Sequence, residues 1–420
     1  MEEIKNDYIA IIKKIFKWVI LSIIMAIPIG IVVGYYNIIL TTANRYRKYH
    51  EYLIYFLPIA GVMITFMYLK TERNAYSGEN LLKSEVQSAV KDIPFYMTFV
   101  VFLGSLATTF FGGSAGKEGS AVAMGGTLGD FLAGKFNLSN EDQRTLVLCG
   151  VGSAFGVIYD VSFAGAILGM ELVLKGKFHY QALIPAFLTT VFSNEIAAAI
   201  GNTKVNYPIL MLDDLSFMIL IKLVLLGIIF GVGGSIFNLI LDNSSKIYGI
   251  ITKNPYLKAI LGGVLTIVLF WLVGDNYNGL GQTFIRDAFD KPATLMDSVW
   301  KIIFTAIALG SVFQGGRGNP TFFVGAALGS AVAKYIGFPL ESCTALGMIG
   351  VFCGVTSLPI TSIAMSLEYF GGDEMVAIMI VMTIAILFLV FMIFLLKISF
   401  QKKRVRSFQV VLVKNHKKFQ

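Results

Sequence analysis

The chain has 420 residues, 56% of them hydrophobic and only 14% charged, and a mean hydropathy of +0.73. A soluble globular domain carries about 25% charged residues, so the composition excludes that class and points to a polytopic membrane protein forming one integrated body. Much of the formal charge of +8 sits at the two ends, flanking apolar runs; that argues for a lipid bilayer as the partner and against nucleic acid.

Apolar stretches fall near 17–40, 52–69, 93–111, 119–134, 145–174, 180–201, 215–241, 256–274, 298–313, 320–337, 343–369 and 374–398. A full span needs about 20 apolar residues, and several of these are shorter or broken by glycine and polar residues. Broken helices survive in a membrane where their loose ends are buried in protein or line a cavity, which is a transporter-like pattern. The first run, Trp18 to Tyr35, leads directly into more apolar sequence and reads as a retained span, not a cleaved signal. Lys5, Lys13, Lys14 and Lys17 at the front and "QKKRVRSFQVVLVKNHKKFQ" at the end predict cytoplasmic termini in a cell-membrane protein. The basic stretch "ANRYRKYHEY" (43–52) pulls the other way. "SNED" (139–142) predicts a capping box at a helix start.

The chain repeats itself. "GKEGSAVAMGGTLG" (116–129) aligns without a gap on "GRGNPTFFVGAALG" (316–329), at an offset of 316 − 116 = 200, placing Lys117 on Arg317. "CGV" at 149–151 recurs at 353–355, and "AGAILGMEL" (164–172) has an echo in "TSIAMSLEY" (361–369) that pairs Glu171 with Glu368. The expected organisation is a first membrane repeat with its N-terminal segment over 1–201, a linker over 202–214, a second repeat over 215–398 and a short basic tail over 399–420. Two such halves predict an inverted repeat, with a site where discontinuous helices meet.

Glycine-rich turns that open a helix leave backbone N–H groups free at its positive end, and these seat an anion. In the first repeat the apolar run starts just after Glu118 and the second repeat does the same in "GGRGNPTFFVGAALG", so two half-helix starts can converge on one small anion; Pro320 suits a first turn. The Glu118 carboxylate can occupy that site itself and so act as a gate released by protonation; a satisfied salt bridge at a helix start is the other reading. Lys117 cannot be its helical partner, because sequence neighbours do not face each other.

At these residues the chain resembles the CLC family of chloride channels and proton/anion antiporters. "GKEGSAVAMGGTLG" resembles the family's G-(K/R)-E-G-P motif, "GGRGNPTFFVGAALG" its G-x-F-x-P motif, and "SFAGAILGMEL" its P-L-A-G…E segment, with Ser162 in place of the proline. The resemblance implies an all-α polytopic fold of tilted and broken helices with inverted-topology repeats. It also implies a homodimer with one pathway per subunit, and Glu118 as the external gating glutamate. Chloride or fluoride and protons are the implied partners. "YSGENLLKSEV" (76–86) sits where G-S-G-I-P belongs: Ser77 and Gly78 match S-G, whereas "GENLL" resembles the G-x-N-L form of the fluoride-selective branch and makes Glu79 a rival. The anion-binding candidates are thus Ser77, Gly78, Glu79, Gly116, Lys117, Gly119, Arg317, Gly318, Asn319, Phe322 and Phe400. Phe322, with Phe323, is a packing or a pore-lining residue. Phe400 stands loosely where the family has a tyrosine, and its ring lacks the hydroxyl.

The antiporters' internal proton-transfer glutamate aligns with Leu172, as in channels and the fluoride branch, while Glu171 matches a structural glutamate. The reading is therefore transport of a small monovalent anion in exchange for protons, gated by Glu118. A passive channel on the same fold is the alternative, and a cation or organic-solute transporter using Glu79 a more distant one. The tail is short for the paired regulatory domains of some members. His50, His179 and His416 are scattered, and Cys149, Cys343 and Cys353 lack ligand spacing, so no metal, cofactor or enzymatic centre is expected.

Overall fold

A computed structural model describes residues 2–71, 94–173, 180–203, 205–212, 215–392 and 394. The described residues of the first half form α1 (Glu2–Tyr49), α2 (Leu57–Lys70), α3 (Met97–Phe110), α4 (Glu118–Lys135), α5 (Asn140–Tyr159), α6 (Ser162–Val173) and α7 (Leu183–Ala199). The second half forms α8 (Phe217–Ile251), α9 (Pro255–Val273), α10 (Gln282–Asp290), α11 (Leu295–Gly310), α12 (Gly318–Ile336), α13 (Leu340–Thr356), α14 (Pro359–Phe370) and α15 (Met375–Met392). Among the described residues the helical segments Ile12–Tyr49, Glu51–Lys70, Tyr180–Ala199, Phe217–Ile251, Pro255–Val273 and Met375–Met392 are long and apolar enough to cross a membrane. These apolar segments make the chain a multi-pass membrane protein.

Helices α4, α5, α12 and α13 are mostly buried and form the inner layer. Long helices surround them: α1 packs on α5 and α7, and α8 on α11, α12 and α13. Inner helices approach backbone to backbone. A Cβ on Gly125 would strike the Gly150 carbonyl, and one on Gly325 the Gly347 carbonyl, so small residues set the α4–α5 and α12–α13 spacing.

These contacts correct one sequence match. Gly150 and Gly347 face equivalent glycines, so 149–151 corresponds to 346–348, not to the "CGV" at 353–355. The false register is off by 353 − 346 = 7 residues, close to two helical turns, which keeps the same face presented. The glutamate echo holds. Glu171 accepts the N–H groups of Ile360 (3.2 Å) and Thr361 (2.8 Å), and Glu368 those of Phe163 (2.9 Å) and Ala164 (2.8 Å). Each repeat thus caps the start of the other repeat's helix, α14 or α6, with a charge suited to its dipole.

The capping box forms by half: Ser139 accepts the Asp142 N–H at 3.3 Å, but the Asp142 carboxylate takes the Ser139 hydroxyl and Lys17 (2.6 Å). The described part of 202–214 is non-helical and bridges the halves: Asn202 bonds to the first, and the Leu210 N–H donates to the Phe370 carbonyl of the second at 2.9 Å. All three cysteines are buried and unpaired.

Candidate functional site

The two glycine motifs meet at the centre of the inner layer. Gly116 N donates to the Gly316 carbonyl at 2.7 Å and Gly316 N to the Gly116 carbonyl at 2.8 Å, a reciprocal pair that marks where the repeats cross. From there each chain enters its helix: α4 begins at Glu118 and α12 at Gly318, with Pro320 in the first turn. The helix starts that the sequence predicts are therefore both present, and they are adjacent.

Glu118 is 8% exposed. Its Oε1 accepts the N–H of Gly318, and its Oε2 that of Asn319 at 3.4 Å. A carboxylate from the first residue of α4 thus occupies the anion seat at the start of α12. Bare backbone makes the room: a Cβ at Gly116, Gly316 or Gly318 would run into the carboxylate, and one at Gly119 would press on the Gly315 carbonyl at 3.1 Å.

A side chain that sequence reasoning misses joins them. Tyr159, the last residue of α5, donates its hydroxyl to Glu118 Oε2 at 2.9 Å and lies equally close, 2.9 Å, to Asn319 Oδ1. Its ring packs edge-on against Phe155 (4.8 Å between centroids) and Phe322 (5.2 Å). Phe322 also packs on Phe352 at 4.9 Å, so it walls the site through Tyr159. Nothing in "FGVIYD" separates Tyr159 from an ordinary packing aromatic, because its partners lie 41 and 160 residues away.

The basic residues part ways. Lys117 is 3% exposed, donates to Asn37 Oδ1 on α1 at 2.6 Å, and stands 5.7 Å from the centroid of the Tyr159 ring. Asn37 in turn donates to Asn202 (2.8 Å), which donates to the Val157 carbonyl (3.0 Å). Asn37 is the second residue missed, although a polar residue inside an apolar span is a signal in itself. Arg317 turns outward, at 3.4 Å from both Asn238 and Asp242 on α8. The structure thus brings together Glu118, Gly116, Gly119, Gly318, Asn319 and Phe322, holds Lys117 behind Tyr159, and keeps Arg317 apart. Ser77, Gly78, Glu79 and Phe400, with His179 and His416, lie outside the described residues.

A buried acid seated on amides where two half-helices of an inverted repeat meet defines a membrane transporter or channel for anions. The voltage gated chloride channel family model matches residues 60–389, and the chain belongs to that family, whose members are membrane channels and transporters. It is 30% identical over 377 residues to the chloride/fluoride channel protein of Pseudomonas syringae pv. tomato, covering 88% of this chain and 83% of that one. It is 27% identical over 299 residues to the H(+)/Cl(-) exchange transporter ClcA of Cronobacter sakazakii, covering 67% of this chain and 64% of that one. The crystal structure of a CLC-type fluoride/proton antiporter superposes with a TM-score of 0.86 at 30% identity, over 89% of this chain and 95% of that one. A slow cyanobacterial Cl-/H+ antiporter shares the fold at a TM-score of 0.77 and 18% identity, over 89% and 94%.

Proposed function

We propose that the protein exchanges a small monovalent halide, fluoride in preference to chloride, for protons, with Glu118 as the gate and proton carrier. The observation that carries this is the Glu118 carboxylate resting on the Gly318 and Asn319 amides. Ionised, it is a tethered copy of the cargo and excludes it. Protonated, it loses the charge that holds it there, and a free halide takes the amides while the proton leaves on the acid.

Lys117 supports the exchange. Its charge is buried and fixed by Asn37, so the surroundings require one negative charge, supplied either by Glu118 or by the ion. Fluoride is favoured by the two relatives at 30% identity whose names include it. Leu172, in α6 next to Glu171, carries no proton, so the proton's route relies on Glu118. A homodimer in the cell membrane with both termini cytoplasmic belongs to the same proposal, and cross-linking in vesicles tests it.

Proteoliposomes carrying a fluoride or chloride gradient test the function with an anion electrode and a pH probe. The expected result is uphill proton movement driven by the halide, faster with fluoride. Anion flux that moves no protons against their gradient would replace exchange by passive conduction.

A further inference from the structure

Two backbone amides and one side-chain hydroxyl hold the Glu118 carboxylate among the described residues. We propose that the hydroxyl of Tyr159 is a ligand of the transported halide, completing the seat when Glu118 leaves it. The proposal rests on the reading of Glu118 as a stand-in for the ion.

A carboxylate oxygen and a halide ion are both negatively charged acceptors, so the donors that serve one serve the other in the same place. A hydroxyl donating to an anion makes a short, charge-assisted bond, roughly twice as strong as a neutral one. Tyr159 is preset for it. It is 7% exposed, Phe155 and Phe322 fix its ring edge-on, and the Asn319 carbonyl oxygen sits 2.9 Å from its hydroxyl. The Lys117 ammonium, 5.7 Å from the ring centroid, draws electron density from the ring and sharpens the O–H as a donor.

The hydroxyl has one proton and two acceptors, Glu118 Oε2 and Asn319 Oδ1. With a negative charge in the seat, carboxylate or ion, the proton points there. With Glu118 protonated and still in place, the acid O–H donates to the Tyr159 oxygen and the Tyr159 proton turns to Asn319. Each hydroxyl proton therefore has an acceptor in either charge state, so a neutral Glu118 can form inside the site before it leaves. A hydroxyl ligand also favours fluoride, the smaller and stronger acceptor, over chloride.

Tyr159→Phe removes the O–H and keeps the ring. Fluoride binding by calorimetry, and fluoride and chloride efflux from proteoliposomes, are measured for this variant alone and in a Glu118→Gln background. Fluoride affinity and flux are expected to fall about tenfold, the scale of one hydrogen bond to a charged group. Chloride should fall less, and the loss should persist with Glu118→Gln. Wild-type affinity and selectivity in folded Tyr159→Phe protein would overturn the proposal. So would a loss that disappears in the Glu118→Gln background, since the hydroxyl would then only hold the carboxylate. If Tyr159→Phe does not fold, Asn319→Ala, which removes the acceptor that competes for the hydroxyl proton, takes its place: a severalfold larger fluoride-to-chloride ratio supports the assignment and an unchanged or smaller one refutes it. The gate reading fails separately, if Glu118→Gln alone retains wild-type proton exchange.

Discussion

The two glycine motifs share a backbone path and differ in what hangs on it. At the first helical position the first repeat has Glu118 and the second has Gly318; just before it stand Lys117 and Arg317. Symmetric half-helices would leave an empty seat lined by two sets of amides. With one acid and one glycine, the side chain of one repeat fills the space left by the other, the arrangement on which the proposed gate rests. The basic residues diverge as well. Lys117 is 3% exposed and bonded to Asn37, whereas the Arg317 side chain is 49% exposed and faces Asp242. Asn238 on α8 stands 3.4 Å from Arg317. Each basic residue has an Asn beside it, and the two pairs differ in how deeply they are buried.

The acid–glycine difference is where the largest effects lie. Glu118→Gln keeps the side-chain volume and removes the proton-dependent charge. Proton exchange should disappear, and the remaining anion flux should lose its rise toward acidic pH, since protons release the ionised gate; paired pH and anion electrodes read both. Gly318→Ala attacks the same difference from the other repeat. Its Cβ would lie 2.9 Å from the Glu118 Cδ and 2.7 Å from the Tyr159 hydroxyl, so the carboxylate cannot keep its seat. Proton-to-anion coupling should fall severalfold while the helix still forms, as measured by the ratio of the two fluxes. Full coupling in Gly318→Ala would mean that the acid works from somewhere other than the α12 amides.

Much of this difference was legible in the sequence. The ungapped alignment at offset 200 gives both helix starts and the Glu118–Gly318 mismatch, because glycine spacing encodes backbone approach directly. The direction of each basic side chain was not, since Lys117 and Arg317 each follow a glycine just before a helix start and their direction depends on what α1 and α8 bring beside them. Tyr159 was hidden for the same reason: its role depends on a contact with Asn319, 160 residues away. The misplaced "CGV" match shows the converse, in that a shift of about two turns leaves a glycine-rich helix looking the same.

The Lys117–Arg317 contrast predicts smaller effects on stability. Lys117→Met removes a buried ammonium from behind the Tyr159 ring and leaves Asn37 Oδ1 without its donor. An unpaired buried polar group costs about 1–3 kcal/mol, so the detergent-solubilised variant should unfold at lower temperature, and fluoride affinity should fall because the fixed positive charge is gone. Unchanged stability and affinity would show that the buried cation is dispensable.

Arg317→Ala should do least. The pair with Asp242 is 3.4 Å long with side chains 49% and 58% exposed, and exposed pairs contribute about 0–1 kcal/mol, with solvent screening placing this one toward the lower end. At physiological salt the field of a charge on that surface decays over about 8 Å, so its pull on an approaching anion is weak as well. Anion efflux and thermal stability should both stay within about twofold and about 0.5 kcal/mol of wild type, respectively, the usual range for a surface substitution. Raising the ionic strength should make even that small effect disappear. If Arg317→Ala instead lowers fluoride affinity as far as Lys117→Met does, the two basic residues act on the ion alike, and the asymmetry belongs to the acid and the glycine alone.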